Sequence, residues 1–219
     1  MNIILGVISI ILTFSSVVLM EKLFKKEGLY VWLSIATILA NIIVCKTVNI
    51  LGLTSSLGNI MFASNFLATD ILTEKYSKKD ARKAINIALA STIIFIVTTQ
   101  ISLLYIPDST DIAQESMKTL FGLNLRTSIA SLTMFYISNL LDIYLFDKLK
   151  QKYPKQLWLR NNTATIISNS LENYLFASIA FIGIFNIPTI ISIATTGTII
   201  EIIIAVLDTP FIYLSKKLG

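Results

Sequence analysis

Phe66-Leu67-Ala68-Thr69-Asp70-Ile71-Leu72-Thr73-Glu74 sets two carboxylates one helical turn apart inside an apolar, membrane-length segment. A charged side chain at the centre of a membrane helix costs about 2.5–3.5 kcal/mol on insertion scales, so such residues face a bundle interior or an aqueous cavity. The stretch therefore predicts a helix within a membrane bundle and a binding site inside it.

Composition agrees. Hydrophobic residues make up 54% of the 219 and charged residues 14%, and the mean hydropathy is +0.74; a soluble domain does not have this balance. About 20 apolar residues cross a ~30 Å hydrocarbon layer as a helix. Seven such runs can be drawn, at residues 3–20, 29–51, 57–76, 84–106, 126–146, 163–185 and 188–214. They are continuous and rich in Ile, Leu and Ala, whereas a barrel would show short alternating segments. The expected fold is all-α, a polytopic membrane helical bundle forming one integral membrane domain over residues 1–219.

Lys and Arg concentrate in four segments: Lys22, Lys25 and Lys26; Lys75, Lys78, Lys79, Arg82 and Lys83; Lys148, Lys150, Lys152, Lys155 and Arg160; Lys216 and Lys217. These alternate correctly for seven spans with basic loops on the cytoplasmic side. The opposite connections are uncharged 52–56, the acidic stretch 107–125 with Asp108, Asp111 and Glu115 against Lys118, and a short Asn186-Ile187 turn. The expected location is the cell (inner) membrane, with the N-terminus outside and the C-terminus cytoplasmic. The net charge of +5 then reflects topology and anionic headgroups rather than nucleic acid. The first run has no basic n-region and no small-residue cleavage site before Glu21, so it reads as a retained helix.

One cysteine, Cys45, excludes an intramolecular disulfide, and the absence of histidine removes the commonest general base and metal ligand. No glycine-rich phosphate loop and no pair of aspartate-rich motifs appears. The expectation is a protein that is not an enzyme, with no cofactor and no metal site.

Asp70 and Glu74, at i and i+4, share a helix face with Asn65 nearby. Asn169, Glu172 and Asn173 form a second polar stripe by i+3 and i+4 spacing. Neither Asp70 nor Glu172 has a short route to water, which favours function. Asp142 and Asp208 lie near predicted cytoplasmic ends, so a carboxylate reaching headgroups or loop lysines is the preferred reading for both. Lys46 can snorkel, Asn41 and Ser168 read as interhelical glue, and Glu201 is either a packing partner or a coupling site. Ala36 and Ala40 form a small-xxx-small pair that permits close helix approach. Residues 111–124, loosely amphipathic through Ile112, Leu120 and Phe121, read as an interfacial helix. Runs two to four and five to seven each hold an acid-bearing stripe in their middle member, as an inverted repeat would.

From Phe66 to Glu74, followed by Ala81-Arg82-Lys83, the chain resembles the YhhQ or vitamin uptake transporter family, the bacterial queuosine precursor transporters. Leu141-Asp142-Ile143-Tyr144-Leu145-Phe146-Asp147-Lys148 through Trp158-Leu159-Arg160-Asn161-Asn162-Thr163-Ala164-Thr165 to Ser168-Asn169, Glu172 and Ile179-Ala180-Phe181 continues the likeness. It covers residues 29–214. The resemblance implies a six-helix core, residues 28–219, with residues 1–27 an extra N-terminal helix and loop. Relatives usually have aspartate where Glu172 stands, glycine at Ser77 and, in many, a lysine near Ile200, where this chain has Glu201.

The implied function is import of 7-deazaguanines such as preQ0, preQ1 or queuine for tRNA modification. A carboxylate accepts from the N–H and amino donors of a guanine-like edge, and Asn reads a carbonyl. The expected substrate residues are Asn65, Asp70, Glu74, Arg160, Asn169, Glu172 and Asn173, with Arg160 pairing Glu74 at the inner mouth. Expected partners are the small 7-deazapurine and the lipid bilayer, with no nucleic acid; a homodimer is common among small membrane bundles. Two rivals stand beside this reading: the substrate-binding S component of an energy-coupling-factor vitamin transporter, docking its energising module through Ala36 and Ala40, and a non-transporting membrane scaffold.

Overall fold

The computed structural model describes residues 1–50, 53–122 and 125–218. Seven α-helices follow one another: α1 (Asn2–Ile43), α2 (Gly58–Ile71), α3 (Lys78–Leu103), α4 (Gln114–Phe121), α5 (Leu125–Lys152), α6 (Leu157–Phe181) and α7 (Ile187–Leu218). Four are long and apolar enough to cross a membrane among the described residues: α1, α3, the Ser128–Lys152 part of α5, and α7. The fold is an all-α membrane bundle.

At 14 residues α2 is too short to stand out as a span by itself. Every residue of 63–73 is buried, and α2 packs against α1, α3, α5 and α7. It is the central helix, so the Phe66–Glu74 stretch lies at the heart of the bundle. The peripheral helices turn their apolar faces outward, with Ile4, Leu12, Ile94, Val97, Ile191 and Ile203 all exposed, as lipid-facing surfaces require.

The first two predicted runs are the arms of α1, which breaks at Lys25 (φ 55°, ψ −140°). Gly28 sits beyond the break, where an added Cβ would collide with the Met20 carbonyl; only glycine lets the arms close. The N-terminal arm belongs to the main core. Phe14 and Val17 join Leu29, Leu33 and Leu67 in one apolar cluster, and Phe14 meets Phe211 edge-to-face at 5.4 Å.

The second run was expected to stay helical to residue 51. Instead α1 ends at Ile43 and β1 (Thr47–Ile50) pairs antiparallel with β2 (Leu53–Ser56), Thr47 opposite Ser56. Val48 and Ile50 prolonged the apolar run, yet Thr47-Val48 and Ile50 are β-branched and suit a strand equally well. Gly52, in the expected uncharged connection, and Leu51 lie outside the described residues, as does Asn124 at the end of the interfacial segment. Within that segment α4 packs Phe121 edge-to-face on Phe95 and leaves Ile112 exposed.

α2 runs into a π-helical turn, Leu72–Tyr76, before Ser77 caps α3 by accepting from the Asp80 amide. The small pair Ala36/Ala40 is fully buried, and Gly58 packs so close to the Ala40 carbonyl that a Cβ would stand 3.0 Å from it. Small residues on both helices thus set the α1–α2 contact.

The four basic segments meet at one end of the bundle. Lys26 pairs with Asp80 (3.1 Å), Lys75 with Glu21 (2.8 Å), Lys78 with Asp147 (2.8 Å), and Lys150, Arg160 and Lys216 all with Glu74. The hairpin marks the opposite end, where Asn2 donates to the Asn49 carbonyl.

Candidate functional site

Asn59, Phe62, Ala63 and Phe66 recur at i, i+3, i+4 and i+7 along one face of α2 and line a cavity of about 240 Å³. Asn41 and Val44 close it from α1, Ser128 and Ser131 from α5, Glu172, Asn173 and Phe176 from α6, and Glu201 from α7. The volume falls just below the range of small-molecule sites, ~300–1,000 Å³.

Inside, Ser138 donates to Glu172 at 2.6 Å. The Asn173 amide donates to Glu201 at 2.6 Å and to the Asn169 carbonyl at 3.0 Å. No Lys or Arg pairs with Glu172 or Glu201 among the described residues. Two carboxyl groups therefore offer acceptors to a ligand, and Phe62, Phe66 and Phe176 offer aromatic faces. Such a site suits a flat, donor-rich or cationic ring.

The seven residues expected to form one substrate site occupy three levels. Glu172 and Asn173 line the cavity. Below it lie Asp70 and Asn169, fully buried; Asn65, beside the cavity-lining Phe66, turns to α1 and donates to Thr37 Oγ1 at 3.1 Å. Glu74 and Arg160 meet at the lysine-rich end, 2.6 Å apart.

There Arg160 also donates to the carbonyls of Tyr153 and Pro154 and lies over the Phe146 ring. Lys216 stands 2.7 Å and Lys150 3.5 Å from Glu74. Lys150 further donates to the Thr73 and Glu74 carbonyls, at the π-helical end of the central helix. This cluster ties the central helix to α5, α6 and α7 and seals that end.

Asp142 and Asp208 correct the expectation. Neither reaches headgroups or loop lysines; both are fully buried. Thr165 donates to Asp142 at 3.3 Å and Asn161 to Asp208 at 2.6 Å. The cause is helix length. α5 continues to Lys152 and α7 to Leu218, so each carboxyl sits ten residues, roughly 15 Å, inside its helix rather than at an apolar run's edge. Asn41, expected as interhelical glue, instead donates within its own helix to the Thr37 carbonyl and lines the cavity. Lys46 is exposed beside the hairpin.

Sequence reasoning missed Asn59, Phe62, Phe66 and Phe176. For the first three the signal was present as the α2 row that continues one turn on to Asp70, and for Phe176 as the continuation of the Glu172–Asn173 stripe on α6. Gly197, also missed, lets Asn173 in: an added Cβ would stand 2.5 Å from Asn173 Oδ1. Gly197→Ala is expected to push that amide off Glu201 and weaken binding of the cavity's ligand about tenfold, the scale of one lost charge-assisted hydrogen bond. Ligand-binding assays on variant and parent at equal expression check this.

A model of the family described as "Putative vitamin uptake transporter" matches residues 56–215. Similar proteins include a "Probable queuosine precursor transporter" of Bacillus subtilis (strain 168), 36% identical over 210 residues, covering 95% of this chain and 92% of the relative. Another "Probable queuosine precursor transporter", from Haemophilus influenzae, is 30% identical over 58% of this chain and 52% of its own. The "Queuosine precursor transporter" of Escherichia coli (strain K12) is 28% identical over 68% and 67%. No solved structure matches. The matched segment takes in the central helix, both cavity acids Glu172 and Glu201, and the Glu74–Arg160 pair, and the full-length alignment is too long to leave out all of the N-terminal arm. This multi-pass membrane protein belongs to the vitamin uptake transporter family.

Proposed function

We propose that the chain is a transporter, not an enzyme, that imports queuosine precursors, 7-deazaguanines such as preQ0, preQ1 or queuine, for tRNA modification. The observation that carries this is the cavity, where two carboxylates with no basic partner among the described residues share a lining with three phenylalanines inside a membrane bundle. Glu172 accepts the N–H and amino donors of the guanine-like edge, as a carboxylate does in a bidentate pair. Asn173 orients the ring, Phe62, Phe66 and Phe176 stack on it, and Glu201 faces the aminomethyl or queuine cation. The relatives' names point to the same substrate class.

Labelled preQ1, preQ0 and queuine offered to cells unable to make or import them test the reading. Expression of the chain should restore accumulation. Uptake by the chain alone also separates it from an energy-coupling-factor S component, whose docking through Ala36 and Ala40 is disfavoured because both are buried against α2. Failure of every deazapurine to enter would favour the scaffold reading.

The same reading takes the chain as one integral membrane unit with seven crossings: the two arms of α1, then α2 with its π-helical turn, α3, α5, α6 and α7. The lysine-rich end faces the cytoplasm and the hairpin end lies outside, as the positive-inside rule requires. The cavity then lies on the outer side of the Glu74 cluster, which is the arrangement of an outward-facing state.

Cys45, the only cysteine in the sequence, is exposed at the hairpin end. A membrane-impermeant maleimide is expected to label it in intact cells. A cysteine placed at Lys79 in a Cys45→Ser background should label only after lysis. The reverse pattern would invert the topology.

A further inference from the structure

Beneath the cavity floor, one helical turn past Phe66, a second polar layer crosses the bundle without a single basic side chain paired to it among the described residues. Its acids come from three helices: Asp70 from α2, Asp142 from α5 and Asp208 from α7, each with no exposed surface. The Asp70 and Asp142 carboxyl groups lie within hydrogen-bonding reach of each other. Yet both Asp70 oxygens, Asp142 Oδ2 and Asp208 Oδ2 have no donor. Ionised carboxylates only accept, and an unpaired buried charge costs several kcal/mol even after relaxation. A proton between two facing carboxyl groups supplies the missing donor and removes one of the charges.

A separate observation on α6 points the same way. Asn161 and Thr165, which donate to Asp208 and Asp142, begin a row at i and i+4 that continues to Ser168 and Asn169. The Ser168 hydroxyl and both polar atoms of the Asn169 side chain are fully buried and without a partner. Polar groups left unmatched in this way mark a layer whose hydrogen bonding is incomplete as it stands. The row ends in Glu172 and Asn173 at the cavity, and the Asn173 amide bonds both the Asn169 carbonyl and Glu201.

Charges on the surrounding elements are already committed. On α6, Arg160 adjoins Asn161 but pairs with Glu74, one turn beyond Asp70. Lys150 of α5 and Lys216 of α7 pair with Glu74 as well, and Lys75, at the foot of α2, pairs with Glu21 of α1. On the cavity side the nearest titratable groups are Glu172 and Glu201, both acids.

We propose that the Asp70–Asp142–Asp208 layer is a proton-binding site that couples proton entry to movement of the substrate held in the cavity above it. The coupling rests on the transport reading; the proton site does not. Protonation removes one of the pair's two charges and lets Asp70 and Asp142 hold each other across α2 and α5. Release towards the lysine-rich end restores the charge, and the α6 row carries the change to Asn173 and Glu201.

Two measurements test it. Infrared difference spectra of the purified protein in lipid should show the carbonyl stretch of a protonated buried carboxyl at neutral pH, lost in Asp70→Asn/Asp142→Asn but kept in Glu172→Gln. Absence of that band in the parent would overturn the site whatever the substrate. In proteoliposomes, one pH unit of gradient, alkaline inside, should drive about tenfold accumulation of labelled preQ1 for one proton per substrate. Asp142→Asn should bring the ratio with and without gradient to about one. Accumulation driven by a sodium gradient instead, or an undiminished pH response in Asp142→Asn, would overturn the coupling. The band present with no precursor taken up under any gradient would leave the proton site standing and overturn both the coupling and the transport reading.

Discussion

Glu74→Gln is expected to destabilise the folded bundle by about 3–5 kcal/mol, the cost of breaking a buried ion pair from one side. Arg160 keeps only 1% of its side chain exposed and has no second carboxylate among the described residues, so the substitution strands a buried cation. Removing Lys216 should do far less. Its side chain is 52% exposed, and exposed pairs contribute about 0–1 kcal/mol. Thermal unfolding in detergent separates the cases. Glu74→Gln should melt well below the parent and Lys216→Ala close to it. The double variant Glu74→Gln/Arg160→Gln should recover part of the loss, since it leaves no buried charge unpaired. Equal melting of Glu74→Gln and parent would mean that the cluster is not what holds the lysine-rich end together.

Glu172→Gln is expected to weaken precursor binding by about 1.5–3 kcal/mol, roughly 10–150-fold. The carboxylate accepts two donors from a guanine-like edge, whereas an amide can accept only through one oxygen and turns a donor towards the ring. Glu201→Gln should discriminate among substrates: the cationic preQ1 and queuine lose affinity, while the neutral cyano compound preQ0 loses little. Competition uptake with the three compounds against each variant reads this directly. Loss of all three in equal measure from Glu201→Gln would remove the cation role.

Much of this bundle is legible in the sequence because lipid and water impose a one-dimensional pattern. Long apolar runs mark helices, and lysines mark one end. The four basic segments do gather at a single end in the structure, and Glu74 does meet Arg160 there, the pairing expected at the inner mouth.

What the pattern lacks is lateral information. Asp142 and Asp208 were judged by distance from the end of an apolar run, but helices outlast hydrophobicity: α5 and α7 carry on through their lysines, which leaves both acids deep. Depth also says nothing about which face a side chain takes. Asp70 and Glu172 were placed together because both were deep, yet they stand at different levels of the bundle. Val48 and Ile50 were indistinguishable from a helix continuation, because a short apolar β-branched run fits either state. The cavity's phenylalanines were hidden for a simpler reason. In a sequence where hydrophobic residues are the majority, an aromatic lining a site looks like any other core residue.

The central claim is that the cavity lined by Glu172, Asn173, Phe176 and Glu201 is the precursor site. Calorimetric titration of preQ1 into the purified protein in nanodiscs tests it most directly. The account predicts saturable one-site binding, weakened at least about tenfold by Glu172→Gln and by Phe176→Ala and unchanged by Lys118→Ala on the exposed face of α4. No saturable binding by the parent, or equal affinity in the parent and both cavity variants, would contradict it.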